Sequence, residues 1–270
     1  MRVGTRDVGV TLERDGAWSS GADRVVVEEP LEIRIAGDAV AVTMRTPGHD
    51  EDLVLGFLRA EGIVRTAADV GSVVHCGRPG DDGYGNVIDV TPGPGVALDW
   101  EKHAVRRGGL TSSACGVCGR RTIDDLLARI APVPSDARVP GALIAHAMAH
   151  LRASQRLFRA TGGLHGAVAV AGDGTLLAAA EDVGRHNAVD KVSGALLRRG
   201  EDAPLLAVSG RIGFEIVQKA AAARFVAVAG VSAPSSLAID LAERTGMVLA
   251  GFVRDGRMNV YAGRERIDTP

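Results

Sequence analysis

Aromatic side chains are nearly absent from this sequence. They make up 3% of its 270 residues, against 46% for apolar residues as a whole. A core cannot be built around stacked rings and has to come from Val, Leu, Ile and Ala. That is the composition of buried strands and the helices that cover them. Cysteine is equally sparse: three residues, an odd number, make no disulfide framework. Charge of one sign is lacking too. The formal net charge of −2 gives no field to gather nucleic acid or an anionic membrane. No apolar run reaches the ~18 residues of a spanning helix. The opening MRVGTRDVGVTLERDG has no apolar centre of a signal peptide. A soluble, cytoplasmic protein without nucleic-acid or membrane partners is expected, long enough for one large domain or two ordinary ones.

What is present is patterning. RVVVEE, LEIRIAG and DAVAVTMR between residues 24 and 45 read as strands, with a turn at Gly37-Asp38. TPGHDED then opens a helix, LVLGFLRAEGIV. Asp50, Glu51 and Asp52 fall in or near its first turn, where the macrodipole favours carboxylates. VGSVVHCG and GNVIDVTPG are strand-like. The first hundred or so residues form a small, strand-rich α+β unit, and the first twenty-odd carry no recognisable motif. Residues 101–121 are basic and glycine-rich without periodicity. Thr122 with Asp125 fits a capping pair before LLARI. APVPSDARVPG, with three prolines in eleven residues, reads as a linker.

The second half is more regular. ALIAHAMAHLRASQRLFRA predicts one long helix. HGAVAVAG and TLLAAAEDVG flank a turn at Gly172–Gly174 and predict a hairpin. After the helix HNAVDKVSGALLRRG, the segments PLLAVSG, GFEIVQKAAAAR, FVAVAG, PSSLAIDLAERTG and MVLAGFV alternate strand and helix. Short apolar strands separated by helices imply right-handed crossovers in a parallel run. MVLAGFVRDGRMNVYAG adds a hairpin turning at Asp255-Gly256. The fold class is α/β, with helices on both faces of a mixed sheet and a smaller α+β domain before it. The domains are drawn at 1–110 and 111–270.

The chemistry concentrates in TSSACGVCGR, residues 111–120, where Cys115 and Cys118 form a C-x-x-C between Arg106-Arg107 and Arg120-Arg121. A structural zinc site needs four ligands, and only Cys76 remains as a further thiol. A zinc deaminase shows H-x-E upstream of P-C-x-x-C. Here Ala114 precedes the pair, and His103 is followed by Ala104 and Val105. No metal site is therefore assigned. A dithiol redox pair opens a helix after a strand. A helix does follow, but RRGGLTSSA does not read as a strand. A sulfur relay needs a thiolate that accepts sulfane sulfur as a persulfide and hands it on. The four arginines favour a thiolate, and Gly108, Gly109, Gly116 and Gly119 would give the loop freedom to move. Redox pair, inert surface cysteines and relay all stay open on these residues.

A second candidate site lies at the strand ends. AVSGRIGFE, with Gly210 and Gly213, and AGVSAPSS, with Pro234 suited to a helix's first turn, stand where open sheets form their ligand crevice. Backbone N–H groups there can hold phosphate, although ordinary turn chemistry explains such loops equally well. Arg211, Arg254 and Arg257 fall at nearby element ends, and arginine is the planar clamp for phosphate. An anionic, nucleotide-like ligand follows. His165 carries no assigned role. His186 and Asn187 sit where a strand gives way to a helix, so capping or packing competes with catalysis. His146 and His150 lack the glutamate of a zincin motif and read as helix-face residues. Cys76 reads as a strand residue.

TPGHDEDLVLGFLRAEGI, SSACGVCG, TGGLHGA, EDVGRHNAVDKVSG, SGRIGFEIVQKAA and GFVRDGRMNVY together make the chain, from about residue 25 onward, similar to the FdhD family, the formate dehydrogenase accessory sulfurtransferases. The resemblance implies a homodimeric sulfur carrier that takes sulfur from a cysteine desulfurase as a persulfide. It would pass this to the molybdenum bis(molybdopterin guanine dinucleotide) cofactor, bound as a substrate and destined for formate dehydrogenase. It implies Cys115 as the persulfide-bearing residue and Cys118 as its partner. Phe252, Val253, Arg254, Asp255, Gly256 and Arg257 would be the cofactor-binding segment, able to take a GDP-like ligand. The fold implied is a cytidine-deaminase-like three-layer α/β/α arrangement without zinc chemistry. A thiol-redox enzyme and a noncatalytic cofactor chaperone are the rival classes.

Overall fold

A computed structural model of the chain describes residues 4–78, 80, 84–100 and 132–268. It opens with a hairpin, β1 (Thr5–Arg14) and β2 (Ala17–Val26), paired antiparallel along its length. The turn falls at Asp15 and Gly16, both with positive φ. Only the end of β2 was legible in the sequence. The strands are mostly exposed and carry polar or small residues such as Ser19, Ser20 and Gly21, so no apolar stripe marks them.

A four-stranded sheet follows: β3 (Glu29–Ile35), β4 (Asp38–Arg45), β5 (Val70–His75) and β6 (Val87–Pro92), in the order β4-β3-β6-β5. Leu31, Ile33, Ile35, Ile88 and Val90 recur at every second residue and point to one face. Helix α1 (Asp50–Glu61) covers that face with Leu53, Val54 and Leu58. The helix stops at Gly62, whose φ of 75° only glycine adopts freely. Ile63 and Val64 therefore leave the helix, although the apolar pattern continues through them; both amides return to the Leu58 carbonyl. Asp50 does more than face a dipole. It receives Arg45 in a two-pronged contact of 3.1 and 3.0 Å, and Arg45 is 1% exposed.

The C-terminal part holds a six-stranded sheet. Two-residue strands β7 (Val139–Pro140) and β14 (Ile267–Asp268) pair separately beside it. Its members are β8 (His165–Val170), β9 (Leu176–Asp182), β10 (Leu205–Val208), β11 (Ala227–Gly230), β12 (Val248–Arg254) and β13 (Arg257–Ala262), in the order β13-β12-β11-β10-β8-β9. As the alternation predicts, β10, β11 and β12 are parallel. The hairpins β8–β9 and β12–β13 are antiparallel and close the two sides. Helix α2 (Gly141–Ser154) lies on one face, against Leu205, Ala207, Ala227 and Ala229. The other face, with Leu206, Val208 and Val228, takes α4 (Arg185–Arg199), α5 (Phe214–Ala222) and α6 (Ser236–Thr245). Strands buried on both faces cannot alternate polar and apolar residues, hence their unbroken aliphatic runs.

The single helix expected over residues 142–160 is broken. Gln155, with φ −77° and ψ 67°, separates α2 from α3 (Arg156–Thr161). Glu181 supplies the reason. Its carboxylate accepts the N–H groups of Leu157 and Phe158 at 2.9 and 2.7 Å and so caps the start of α3.

Helices α1 and α4 join the two larger sheets at backbone contact. A Cβ added at Gly194 would stand 1.8 Å from the Asp52 carbonyl oxygen, and one at Gly56 would stand 1.9 Å from that of Asp190. A buried polar network reinforces the junction. Lys191 pairs with Asp182 at 2.8 Å and donates to the Thr46 carbonyl at 2.9 Å. Asn187 donates to the Met44 carbonyl at 2.7 Å. These bonds leave neither buried charge unmatched, the condition under which such a pair is tolerated. The domain boundary drawn at residues 110 and 111 falls outside the described residues. Among the described residues, no helix is long and apolar enough to cross a membrane.

Candidate functional site

Cys115 and Cys118, with the arginines around them, lie outside the described residues. The described candidate site is the carboxyl edge of the six-stranded sheet, where the strands deliver three loops side by side. Ile212, after β10, bridges to Pro234, after β11: its N–H donates to the Ala233 carbonyl, and its own carbonyl accepts from Ser235. The Phe252 amide in turn donates to the Ser232 carbonyl at 3.3 Å. The loops at Gly210–Gly213 and Val231–Ser236 and the end of β12 therefore sit together, as parallel strands in sequence order require. Pro234 stands just outside α6, not in its first turn; Ser235 is the cap, accepting from the Ala238 amide at 3.3 Å.

The β12–β13 hairpin is irregular where it leaves the sheet. Pairing shifts between Gly251 and Arg254, and Phe252 takes a left-handed φ of 53° and is 37% exposed as a residue. That backbone costs a residue with a side chain about 1–2 kcal/mol, and bulges of this kind re-aim side chains at sheet rims. Gly251 is dictated by crowding, since a Cβ there would meet the Ser232 oxygen at 3.0 Å and the Tyr261 ring at 3.0 Å. The turn is made by Asp255 and Gly256, both at positive φ as a two-residue hairpin loop needs. Arg254 and Arg257 then face each other directly across the strands. Like charges in that position repel, and an anion between them removes the repulsion.

A pocket of about 130 Å³ opens between this turn and α2. Ile144, Met148 and Val253 give it apolar walls, and Arg152, Arg254 and Arg257 bring charge. Its volume suits one group of a ligand, since whole-ligand pockets run to ~300 Å³ or more. Arg152 was not singled out from the sequence. It is one basic residue among several on α2, and only the packing of that helix brings it to the turn.

At the other end of the edge, His165 starts β8 and pairs across to Asp182. Arg185 opens α4, with its Nη2 3.7 Å from Glu215. Burial holds the His165 imidazole below its usual pKa; Arg185 adds to this, Asp182 opposes it, and Arg211 contributes least. Burial, then Lys219, Arg185 and His165, push His186 down to about 4, so it is neutral near pH 7. Asn187 has a packing role. Besides holding Met44 it donates to Asp182 at 3.0 Å and accepts from Thr43 at 3.3 Å. Burial raises Asp190 to about 6 although Lys219 sits on both its oxygens at 2.8 and 2.7 Å. His146 and His150 are helix-face residues, His150 lying 3.0 Å from the Gly174 carbonyl. Cys76 is a free thiol just past β5, its amide still donating to Val87 in the ladder.

The chain is thus an α/β protein whose strand-end loops converge beside two opposed arginines. Residues 26–268 match the model of the FdhD/NarQ family, and the chain belongs to that family. It is 56% identical to the sulfur carrier protein FdhD of Anaeromyxobacter dehalogenans (strain 2CP-1 / ATCC BAA-258), over 99% of this chain and 97% of the relative. Its identity to the sulfur carrier protein FdhD of Streptomyces coelicolor is 48%, over 94% and 92%. A crystal structure from Desulfotalea psychrophila, described as a formate dehydrogenase accessory protein, superposes with a TM-score of 0.76 at 26% identity, covering 97% of this chain and 99% of that one.

Proposed function

We propose that the chain is a sulfur carrier serving formate dehydrogenase, working as a sulfurtransferase through a persulfide on Cys115. In the step envisaged, the Cys115 thiolate attacks the terminal sulfur of a persulfide on a cysteine desulfurase. A new S–S bond forms, the donor's S–S bond breaks, and the donor leaves as a thiolate, so the transfer needs no outside oxidant. Cys118 assists the outgoing transfer. The acceptor is the molybdenum bis(molybdopterin guanine dinucleotide) cofactor, held as a substrate by Phe252, Val253, Arg254, Asp255, Gly256 and Arg257. A cytoplasmic homodimer and a cytidine-deaminase-like layout of the C-terminal layers complete the reading.

One observation supports the substrate site most strongly. Arg254 and Arg257 face each other at a turn beside a pocket sized for a single group, and among the described residues neither is engaged in an ion pair. Phosphate oxygens supply the missing countercharge, and the exposed Phe252 ring offers a surface for a base. Two charge-assisted contacts contribute about 1.5–3 kcal/mol each. The double variant Arg254→Ala/Arg257→Ala should therefore bind GDP well over ~10-fold more weakly, since about 1.4 kcal/mol is a factor of ten. Calorimetric titration reads this directly. Unchanged affinity in a variant with an unchanged melting curve would move the substrate site elsewhere.

A further inference from the structure

Away from the carboxyl edge, one buried charge lacks an adequate partner. We propose that Arg59 and Arg224 form a binding site for a small carboxylate anion at the amino ends of β10 and β11, where the anion bridges the N-terminal unit and the C-terminal sheet. The site stands apart from the sulfur-carrier reading and uses none of its residues.

Arg59 lies in the last turn of α1 and is only 7% exposed. A guanidinium so placed is tolerated when acceptors match its N–H groups. Here they do not. Nη1 is buried without a hydrogen-bond partner. Nη2 stands 3.8 Å from Asp202, beyond hydrogen-bond range, and the Asp202 side chain is 72% exposed. Water screens a carboxylate of that kind. Burial holds the Arg59 guanidinium below its usual pKa; Asp202 opposes this and the Arg224 charge adds to it.

The backbone fixes the group. The amides of Val226 and Ala227 both donate to the Pro204 carbonyl at 2.9 Å, so the segments carrying Asp202 and Arg224 run side by side. Arg224 takes the left-handed turn after α5, with φ 65°, a position that glycine favours. Helices α1 and α4 do end there on glycine, Gly62 and Gly200. Arg224 accepts the strained backbone and is exposed, and among the described residues its side chain has no hydrogen bond or ion pair. A Cβ built on Gly62 or Gly200 would meet no atom within 4 Å, so no side chain covers these two helix ends.

The neighbouring cations are already matched. Arg198 pairs with Asp52 at 2.8 Å, Arg199 with Glu201 at 2.9 Å and Lys219 with Asp190 at 2.7 Å. Arg59 and Arg224 remain against Asp202 alone, which leaves one positive charge unmatched. A carboxylate fits that balance. It carries a single charge, and its planar pair of oxygens meets a guanidinium edge-on. A phosphate dianion would overshoot the charge and needs more room than so buried an arginine leaves. The dipoles of α1, α4 and α5 end here and favour the two cations, so the anion affinity is modest.

The test titrates the full-length protein with isotope-labelled acetate in a zwitterionic buffer of low ionic strength, with chloride at the same concentrations as reference. Binding is read from NMR line broadening of the labelled carboxylate and from the melting temperature, which rises when a ligand binds only the folded state. Wild type should show one saturable acetate site, with a rise in melting temperature beyond that given by chloride. Arg224→Gly should weaken acetate ~10-fold, the loss of one charge-assisted contact. Its melting temperature without acetate should equal or exceed that of wild type, because glycine relieves the left-handed turn. Asp202→Asn should strengthen acetate several-fold by removing the competing carboxylate. Arg59→Lys keeps the charge, loses the planar pair of donors and should lose saturable binding. Arg59 is buried, so Arg224→Gly and Asp202→Asn decide the matter if Arg59→Lys does not fold. If Arg224→Gly binds acetate as wild type does, if Asp202→Asn weakens it, or if chloride raises the melting temperature as much as acetate, the carboxylate site does not exist. None of these outcomes bears on the GDP titration of Arg254 and Arg257, so either reading can fail alone.

Discussion

Gly194→Ala should lower the melting temperature by about 10 °C or more. Alanine ordinarily stabilises a helix over glycine by roughly 1 kcal/mol, so the expected sign is opposite to propensity. The cause is the helix crossing. A Cβ at Gly194 would stand 1.8 Å from the Asp52 oxygen and 2.7 Å from the Gly56 nitrogen, both backbone atoms that no rotamer change can move aside. Helices α1 and α4 would have to separate. That would pull Lys191 and Asp182 away from Thr46, and Asn187 away from Met44. Separation exposes apolar surface and strands polar groups together, the combination behind losses of ~4 kcal/mol or more. In a chain of this size each kcal/mol is worth about 2–4 °C. Gly56→Ala should behave alike. A melting temperature within a degree or two of wild type would mean that the two helices are not in backbone contact.

Cys115→Ala should reduce activation of formate dehydrogenase to the level seen without the protein, while its melting curve stays that of wild type. A carrier without its acceptor sulfur has no atom with which to form the new S–S bond, so no partial activity is left to the relay. Cys118→Ala should be milder, because in the proposed relay the second thiol only assists. The pattern separates the three mechanisms. A redox pair fails equally with either cysteine removed, since its working state is the Cys115–Cys118 disulfide. A noncatalytic chaperone survives the loss of both.

The C-terminal sheet was legible because its strands are buried on both faces. Leu205-Leu206-Ala207-Val208 has no polar residue to blur the reading, and helices of crossover length separate the runs. The Asp255-Gly256 turn was legible because few dipeptides adopt two positive φ angles readily. What the sequence hid was set by distant partners. The break at Gln155 comes from Glu181, on a different strand. The β1–β2 hairpin has no buried face to impose a period. Asp50 reads as a helix-start carboxylate, yet it is the partner of a buried arginine. At the site, Arg254 and Arg257 showed themselves by position, flanking a recognisable turn. Arg152 and Arg185 did not, because a lone arginine on a helix carries no mark of what the helix packs against. Gly56 and Gly194 are likewise ordinary helix glycines until α1 and α4 are seen side by side.

The proposed function turns on sulfur carriage by Cys115. Intact-protein and peptide mass spectrometry, after incubation with a cysteine desulfurase and cysteine, tests it most directly. A gain of one sulfur atom is expected on the peptide containing Cys115, removed by a thiol reductant and absent from the Cys115→Ala protein. Loss of two hydrogens as a Cys115–Cys118 disulfide, with no added sulfur, would contradict it.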